Sequence, residues 1–459
     1  VWVILATALS ASGTENRPQL SWSLQQDQLR LEWAPAEPNA RYTVETASEV
    51  TGSDWAPVGS PDLWPTTQTS WTGPKPAGSA AYFRLQVHSP LPNRGTVEAL
   101  TLIRNFTVPE LNAIIAEYGV PGIQPVAVSA WRVEYATVDP HGNPIHASAL
   151  VVAPSAGTTP VPLVSYQHGT VTQRDDVPSR LNGEADLGLV LASARYLVVM
   201  PDLLGLGDSP GSHPYHHADS TATAVVDALR ATRSSLADLS VAWNDQLFLL
   251  GYSQGGHATL AAQRALELEH ANEFTLTASA PMAGAYDLSG TTLNDFLSTR
   301  QPPNPYYYPY ILSMLVEVYG VAGSLGDLLR APYDTTIPPL LNGEHSGGAI
   351  NAALPPHPLD ALKPELVEAL RNNPNHPIRL ALQDNDLHTG WVPQTPTRLY
   401  HCAGDRDVLP ANTDVALATF TAAGATQVTK VDPFFLANHS TCAPLALLQA
   451  KVWFDGLRR

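Results

Sequence analysis

The sequence predicts an α/β protein with a mainly parallel central sheet and a helical cap insertion, preceded by a small all-β sandwich. Three observations carry that reading. Short apolar runs alternate with helix-period segments from about residue 98 onward, that rhythm breaks between residues 284 and 396, and before residue 90 the apolar residues recur with period two. Length agrees, because 459 residues exceed what one hydrophobic core organises. Hydrophobic residues make up 44% and charged ones 15%, a globular balance that argues against extended disorder.

Residues 1–16 open on the apolar run Val1-Trp2-Val3-Ile4-Leu5-Ala6 and continue in small residues, which reads as the remnant of a secretion signal. The run is too short to span a bilayer. Residues 17–89 hold Leu29-x-Leu31-x-Trp33, Tyr42-x-Val44-x-Thr46 and Phe83-x-Leu85-x-Val87, separated by Pro, Gly, Asn and Ser turns. Such alternation predicts half-buried strands, and the module resembles a fibronectin type III or immunoglobulin-like sandwich. Trp22, Trp33, Trp55, Trp64 and Trp71 mostly serve its core on this reading, with surface platforms for a polymer or sugar as the alternative. Pro90 and Pro92 make residues 90–97 a stiff linker.

The remaining elements, over residues 98–459, follow in order. Residues 108–118 predict a short helix, and 130–137 with 145–152 a hairpin around Asp139-Pro140-His141-Gly142-Asn143. Buried strands come next at 161–166 and 196–200, then a helix at 220–234, a strand at 247–250, a helix at 256–269 and a strand at 276–280. The segment 284–396 is the cap. In it Tyr306-Tyr307-Tyr308-Pro309-Tyr310-Ile311-Leu312 leads into a helix at 313–319, and 364–371 forms another. Its apolar side chains either face an acyl or aromatic group or pack on one another. Strands at 397–402 and 427–431 resume the sheet.

Gly251-Tyr252-Ser253-Gln254-Gly255 lies between the strand at 247–250 and the helix at 256–269, the strand–turn–helix setting of a nucleophile elbow. The glycines allow the serine its strained backbone, because a Cβ at either flank would strike the neighbouring strand and helix. In this setting an acid and then a histidine follow the serine in the chain. After the strand at 397–402 comes Gly404-Asp405-Arg406-Asp407-Val408-Leu409-Pro410. Asp407 is the expected acid, since it sits where the turn would point back to the sheet, whereas Asp405 beside Arg406 reads as an ion-paired turn residue. His439, the sole histidine beyond His401, is the expected base. Ser253 is a poor nucleophile until His439 takes its proton, and a carboxylate fixes the imidazole tautomer. The oxyanion needs two donors. One is the backbone N–H of Gln254, and the other is Thr170 or Gly169 in Gln167-His168-Gly169-Thr170, with His168 bracing the loop.

Tyr166-Gln167-His168-Gly169-Thr170, Pro201-Asp202-Leu203-Leu204-Gly205-Leu206-Gly207-Asp208-Ser209, Val226-Asp227-Ala228-Leu229-Arg230-Ala231 and Gly251-Tyr252-Ser253-Gln254-Gly255-Gly256-His257-Ala258-Thr259 together resemble the secretory lipase family of α/β-hydrolases. The resemblance runs over about residues 98–459. It implies an α/β-hydrolase fold, Ser253, Asp407 and His439 as the catalytic set, and a cap over a tunnel for acyl chains. Some members of the family carry an acidic side chain in the oxyanion loop where this chain reads His168-Gly169-Thr170, so the second donor stays open between Gly169 and Thr170.

A net charge of −17, from 25 basic and 42 acidic residues with no Lys/Arg-rich run, argues against a nucleic-acid partner. Cys402 and Cys442, the chain's two cysteines, flank the acid and the base and predict a disulfide in an exported protein. Asp202-x-x-Gly205-x-Gly207 lacks the lysine of a phosphate-binding loop and reads as a turn. His213-Pro214-Tyr215-His216-His217 has no Cys or carboxylate spaced around it for a metal, so no metal and no cofactor are expected. The whole reads as a secreted or periplasmic serine carboxylic-ester hydrolase, a lipase or esterase, without an integral membrane segment. Its partners are a small-molecule, lipid or polymer ester and, through the β-module, an insoluble substrate or surface. The alternatives are a hydrolase of aromatic or polymeric esters, of feruloyl esterase or polyesterase type, and a non-catalytic adhesion protein.

Overall fold

A computed structural model of the chain describes residues 94–459 apart from 121, 156 and 158. Before residue 94 it describes residues 8–10, 20–25, 28–34, 41–47, 56–59, 66, 68–74 and 82–88. The chain divides into two compact units, Val1–Asn93 with His141–Pro144, and Arg94–Pro140 with Ile145–Arg459.

In the first unit the described strands are β1 (Ala8–Ser10), β2 (Leu20–Gln25), β3 (Gln28–Trp33), β4 (Arg41–Ala47), β5 (Ala56–Pro57), β6 (Ser70–Pro74) and β7 (Tyr82–His88). They form two sheets, ordered β2-β3-β6 and β1-β7-β4-β5. Burial alternates strictly along β3, as the period-two pattern requires. Leu29, Leu31 and Trp33 thereby join Tyr42, Val44, Val58, Phe83 and Leu85 in one core, with Trp71 against it. Trp22 is exposed. Trp55 and Trp64, most of the expected secretion signal and residues 90–93 of the expected linker lie outside the described residues, while Ala8–Ser10 pair in parallel with β7.

The second unit is built on strands β8 (Val97–Phe106), β9 (Val128–Val138), β10 (Pro144–Pro154), β11 (Val161–Gln167), β12 (Leu197–Pro201), β13 (Trp243–Tyr252), β14 (Leu276–Met282), β15 (Thr397–Tyr400) and β16 (Val428–Val431). Their order across the sheet is β16-β15-β14-β13-β11-β12-β10-β9-β8. From β12 to β16 neighbouring strands run parallel, and β8 and β10 pair antiparallel with β9 and β12 respectively. Helices cover both faces, α1 (Val108–Glu117) and α11 (Ala411–Ala422) among them, so the central strands read as unbroken apolar runs. Val164, Tyr166, Phe248 and Leu250 face Leu189 and Ala192 of α2 (Ala185–Ser193) and Ala446 and Phe454 of α12 (His439–Asp455). Leu163, Leu247 and Leu249 face Val225 and Leu229 of α3 (Ala218–Ser234) and Ala262 of α4 (Gln254–Leu268).

From β11 the chain crosses to β12 on one side and returns to β13 on the other. Loops that leave the carboxyl ends of two adjacent strands in opposite directions open a crevice there, and this is where α/β sheets place their ligands. Between β14 and β15 the insertion is helical, with α5 (Leu293–Phe296), α7 (Tyr333–Thr336) and α8 (Gly347–Ala353) as shorter helices and α6 (Tyr307–Tyr319), α9 (Pro364–Asn372) and α10 (Pro377–Asp384) as its longer ones. It has a core of its own that includes Ile311, Leu315, Leu370 and Leu382. Helix α6 begins six residues before its expected start, because Pro309 falls in its first turn, where a missing N–H costs nothing. No helix among the described residues is long and apolar enough to cross a membrane.

Candidate active site

Ser253 stands between the end of β13 and the first turn of α4, with φ 61° and ψ −119°. That conformation is costly for a residue with a side chain. It is enforced by lack of room: a Cβ on Gly255 would lie 1.9 Å from the carbonyl oxygen of Gln167, and one on Gly256 2.1 Å from that of Met282. The Ser253 N–H donates to Met282 O at 2.9 Å. Strand, turn and helix thus hold the hydroxyl at the carboxyl edge of the sheet, as the glycine spacing anticipates.

The His439 imidazole reaches it from the first position of α12. Its Nε2 lies 2.8 Å from Ser253 Oγ, and its Nδ1 lies 2.6 Å from a carboxylate oxygen. That oxygen belongs to Asp405 and not to Asp407. The expectation of Asp407 fails because the turn after β15 folds around Asp405, whose Oδ1 accepts the N–H groups of Asp407 at 2.9 Å and Val408 at 3.1 Å while Oδ2 faces the histidine. Asp407 is carried past the sheet to the cap, where Asn304 donates to its Oδ1 at 2.5 Å. Arg406 does not engage Asp405; its carbonyl accepts from Arg300. His401 also meets this carboxylate. It is fully buried, and its Nε2 lies 3.3 Å from the same Asp405 oxygen. Burial alone would raise the Asp405 pKa, but the hydrogen bonds and charges of His401 and His439 outweigh it and bring the carboxyl down to about 2.

Two further contacts hold His439 in place. Tyr252 donates its hydroxyl to the backbone carbonyl of His439 at 2.6 Å. Cys402 and Cys442 form the expected disulfide, with Cα atoms 5.9 Å apart, and tie the acid loop to the first turn of α12. Gly404 lies so close to the histidine loop that a Cβ would come 2.7 Å from Ala437 O.

Beside the serine, Gln167 at the end of β11 pairs with Gly251, which brings His168-Gly169-Thr170 next to the elbow. The His168 ring spans Gly169 O at 2.7 Å and Asp202 O at 3.0 Å. Gly169 is occupied: its N–H donates to both carboxylate oxygens of Glu184 at 3.2 Å. Tyr166 donates to the same carboxylate. Burial nevertheless pushes the Glu184 carboxyl above its ordinary range, against these bonds. The backbone N–H groups of Thr170 and Gln254 have no partner among the described residues. Of the expected oxyanion donors, these two remain.

A cavity of about 490 Å³, counting its open mouth, lies between the serine and the cap. Tyr215, His216, Tyr307, Tyr308, Ile311 and Asp407 are among its walls. The Asp287, Asp386 and His388 side chains are the described group whose ligand atoms come close enough to hold a metal ion, within 4.8 Å of one another. Both carboxylates already accept from Ser289, Gly290 and Thr291.

The secretory lipase family profile matches residues 184–293. No curated protein sequence matches the chain. Among solved structures, the chain is similar to the rice cell wall degrading esterase LipA from Xanthomonas oryzae at 30% identity, covering 80% of this chain and 98% of that one with a TM-score of 0.72. A protein of Legionella pneumophila, provisionally assigned as a hydrolase, is 27% identical over 79% of this chain and 98% of that one, with a TM-score of 0.72. Candida antarctica lipase A in its closed state shares the fold at 17% identity, over 79% and 81% of the two chains, with a TM-score of 0.60. The family profile meets the elbow and the cap boundary, and the likeness to LipA spans almost the whole of that enzyme: the chain belongs to the secretory lipase family of α/β-hydrolases and is an ester hydrolase of the lipase/esterase kind.

Proposed function

We propose that the chain is a secreted serine hydrolase that cleaves carboxylic esters through an acyl-enzyme, with Ser253 as nucleophile, His439 as general base and acid, and Asp405 as the carboxylate that orients it. The observation that carries this reading is the continuous chain of bonds from Ser253 Oγ through His439 to Asp405. His439 Nε2 takes the hydroxyl proton as Oγ attacks the ester carbon, and Asp405 stabilises the imidazolium that forms. The carbonyl oxygen becomes an oxyanion at the N–H groups of Gln254 and Thr170, at the positive end of α4. Collapse expels the alcohol, which receives the proton from His439. Water then repeats the sequence and releases the acid.

A second reading is favoured by one comparison, namely that the relative LipA is a cell-wall-degrading esterase. On that reading the substrate is an aromatic or polymeric ester, and the N-terminal β-module holds it. A fluorophosphonate probe should label the wild type and leave Ser253→Ala untouched, and turnover of p-nitrophenyl esters should disappear with the label. Persistent turnover in Ser253→Ala would defeat the acyl-enzyme. In the wild type, a rate that rises with acyl length favours the lipase reading, and a preference for feruloyl over alkanoyl esters the second.

A further inference from the structure

His213-Pro214-Tyr215-His216-His217 ends the loop that joins β12 to α3 and is buried throughout. His216 in its middle has φ 62°, a left-handed conformation that persists only where neighbouring contacts enforce it. Those contacts lead to two places. His213 donates from Nδ1 to Leu204 O at 2.7 Å. Its other nitrogen, Nε2, is then an acceptor, and the side-chain amide of Gln254 reaches it at 2.5 Å. Burial lowers the His213 pKa to about 4, which keeps this nitrogen an acceptor near neutral pH. Two residues on, the Tyr215 hydroxyl lies 2.9 Å from Thr170 Oγ1. The Tyr215 ring stacks on Tyr310 of the cap, with centroids 4.4 Å apart and planes 12° apart. Tyr310 in turn donates to Val171 O at 3.2 Å.

Gln254 and Thr170 are the residues whose backbone N–H groups form the oxyanion hole in the reading above. We infer that His213 and Tyr215 are positioning residues for that hole, each holding by the side chain one residue whose backbone donates to the oxyanion. The inference rests on the proposed serine mechanism. Its physical basis is that donors stabilise a developing charge only when they are already aimed at it. In its loop Thr170 follows a glycine; the next two residues are tied to the cap through Val171 O and Thr172 Oγ1, and the hydroxyl of Thr170 is its own side-chain anchor. Glu184 fixes the Gly169 side of that loop, and Tyr215 fixes the Thr170 side. The five-residue segment thus ties the elbow, the loop after β11 and the cap to one another.

The test is a set of variants assayed with p-nitrophenyl butyrate. Tyr215→Phe and Thr170→Val each remove one half of the same bond while keeping the Thr170 N–H. Each should lower kcat about 10- to 100-fold, up to the scale of a catalytic group misplaced by about 1 Å, with KM changed by less than about threefold. The double variant should be no slower than the slower single, because both act through one contact. Affinity for an alkyl boronic acid, which becomes tetrahedral on the serine, should fall in step with kcat/KM. Thr170→Ser, which keeps the hydroxyl, should recover most of what Thr170→Val loses, and His213→Asn most of what His213→Leu loses. Multiplicative losses in the double variant, losses confined to KM, or unchanged boronate affinity would overturn the inference. Ser253→Ala keeps the two claims apart: if it is inactive while Tyr215→Phe works at the wild-type rate, the positioning role fails and the serine mechanism stands.

Discussion

His439 Nδ1 and Asp405 Oδ2 lie 2.6 Å apart, and the second oxygen of that carboxylate closes the very turn that sends Asp407 to the cap. One aspartate therefore both shapes the loop and faces the imidazole. Asp405→Asn should lower kcat about 10⁴-fold, the scale for a lost orienting carboxylate, with the fold retained. Asp407→Asn keeps a partner for Asn304 and should stay within about tenfold of wild type. Steady-state kinetics on the two variants checks this, and the reverse order of losses would return the role to Asp407.

Acid should destabilise the protein in two stages. His213 and His257 are buried, and desolvation chiefly lowers their pKa values to about 4 and about 3 from 6.5. The unfolded chain therefore binds protons that the folded one refuses, and stability falls as pH drops below about 6.5. At about 1.4 kcal/mol per unit, the loss on His213 approaches roughly 3 kcal/mol by pH 4. Asp405 acts lower down. Its depressed pKa of about 2 contributes stability that is present above about pH 4 and lost as pH falls through about 2. Urea unfolding at pH 7, 5.5 and 4 should show the first stage, and a flat profile across that range would contradict it.

The elbow tolerates no added carbon. Gly255→Ala places a Cβ 1.9 Å from the backbone oxygen of Gln167, and neither chain can retreat, since Gln167 ends a buried central strand and Gly255 lies in the buried first turn of α4. Destabilisation of about 3 kcal/mol or more is expected, with loss of fluorophosphonate labelling in whatever protein remains folded. Thermal melts together with labelling test it, and a variant that melts and labels like wild type would show that the elbow can relax.

Local sequence reported the sheet and the elbow well. Runs such as Leu247-Phe248-Leu249-Leu250 are buried on both faces, and the glycines around Ser253 sit where a side chain has no space. Strand β8 escaped because it is an exposed edge with Leu102 and Ile103 facing outward, which blurs the period-two signal. Helix α12 escaped because its apolar positions are interrupted by Pro444. The choice between Asp405 and Asp407 turned on how a five-residue loop folds, and no propensity reports that. His401, Glu184 and Tyr215 were invisible for another reason: each earns its place through a contact with a residue 4 to 45 positions away, and spacing in the chain carries no trace of such meetings.

The bond between Cys402 and Cys442 encloses the acid loop and the turn that bears the base within one covalent ring. Warming can loosen helices around that ring without letting Asp405 and His439 drift apart, so a partly melted molecule has only its serine to bring back. Recovery after a heat pulse then becomes a short search in the oxidised enzyme and a long one in the reduced enzyme. The thiol content of the surroundings is thereby expected to bear on how much activity survives repeated heating, which assays before and after a heat pulse with and without reductant would check.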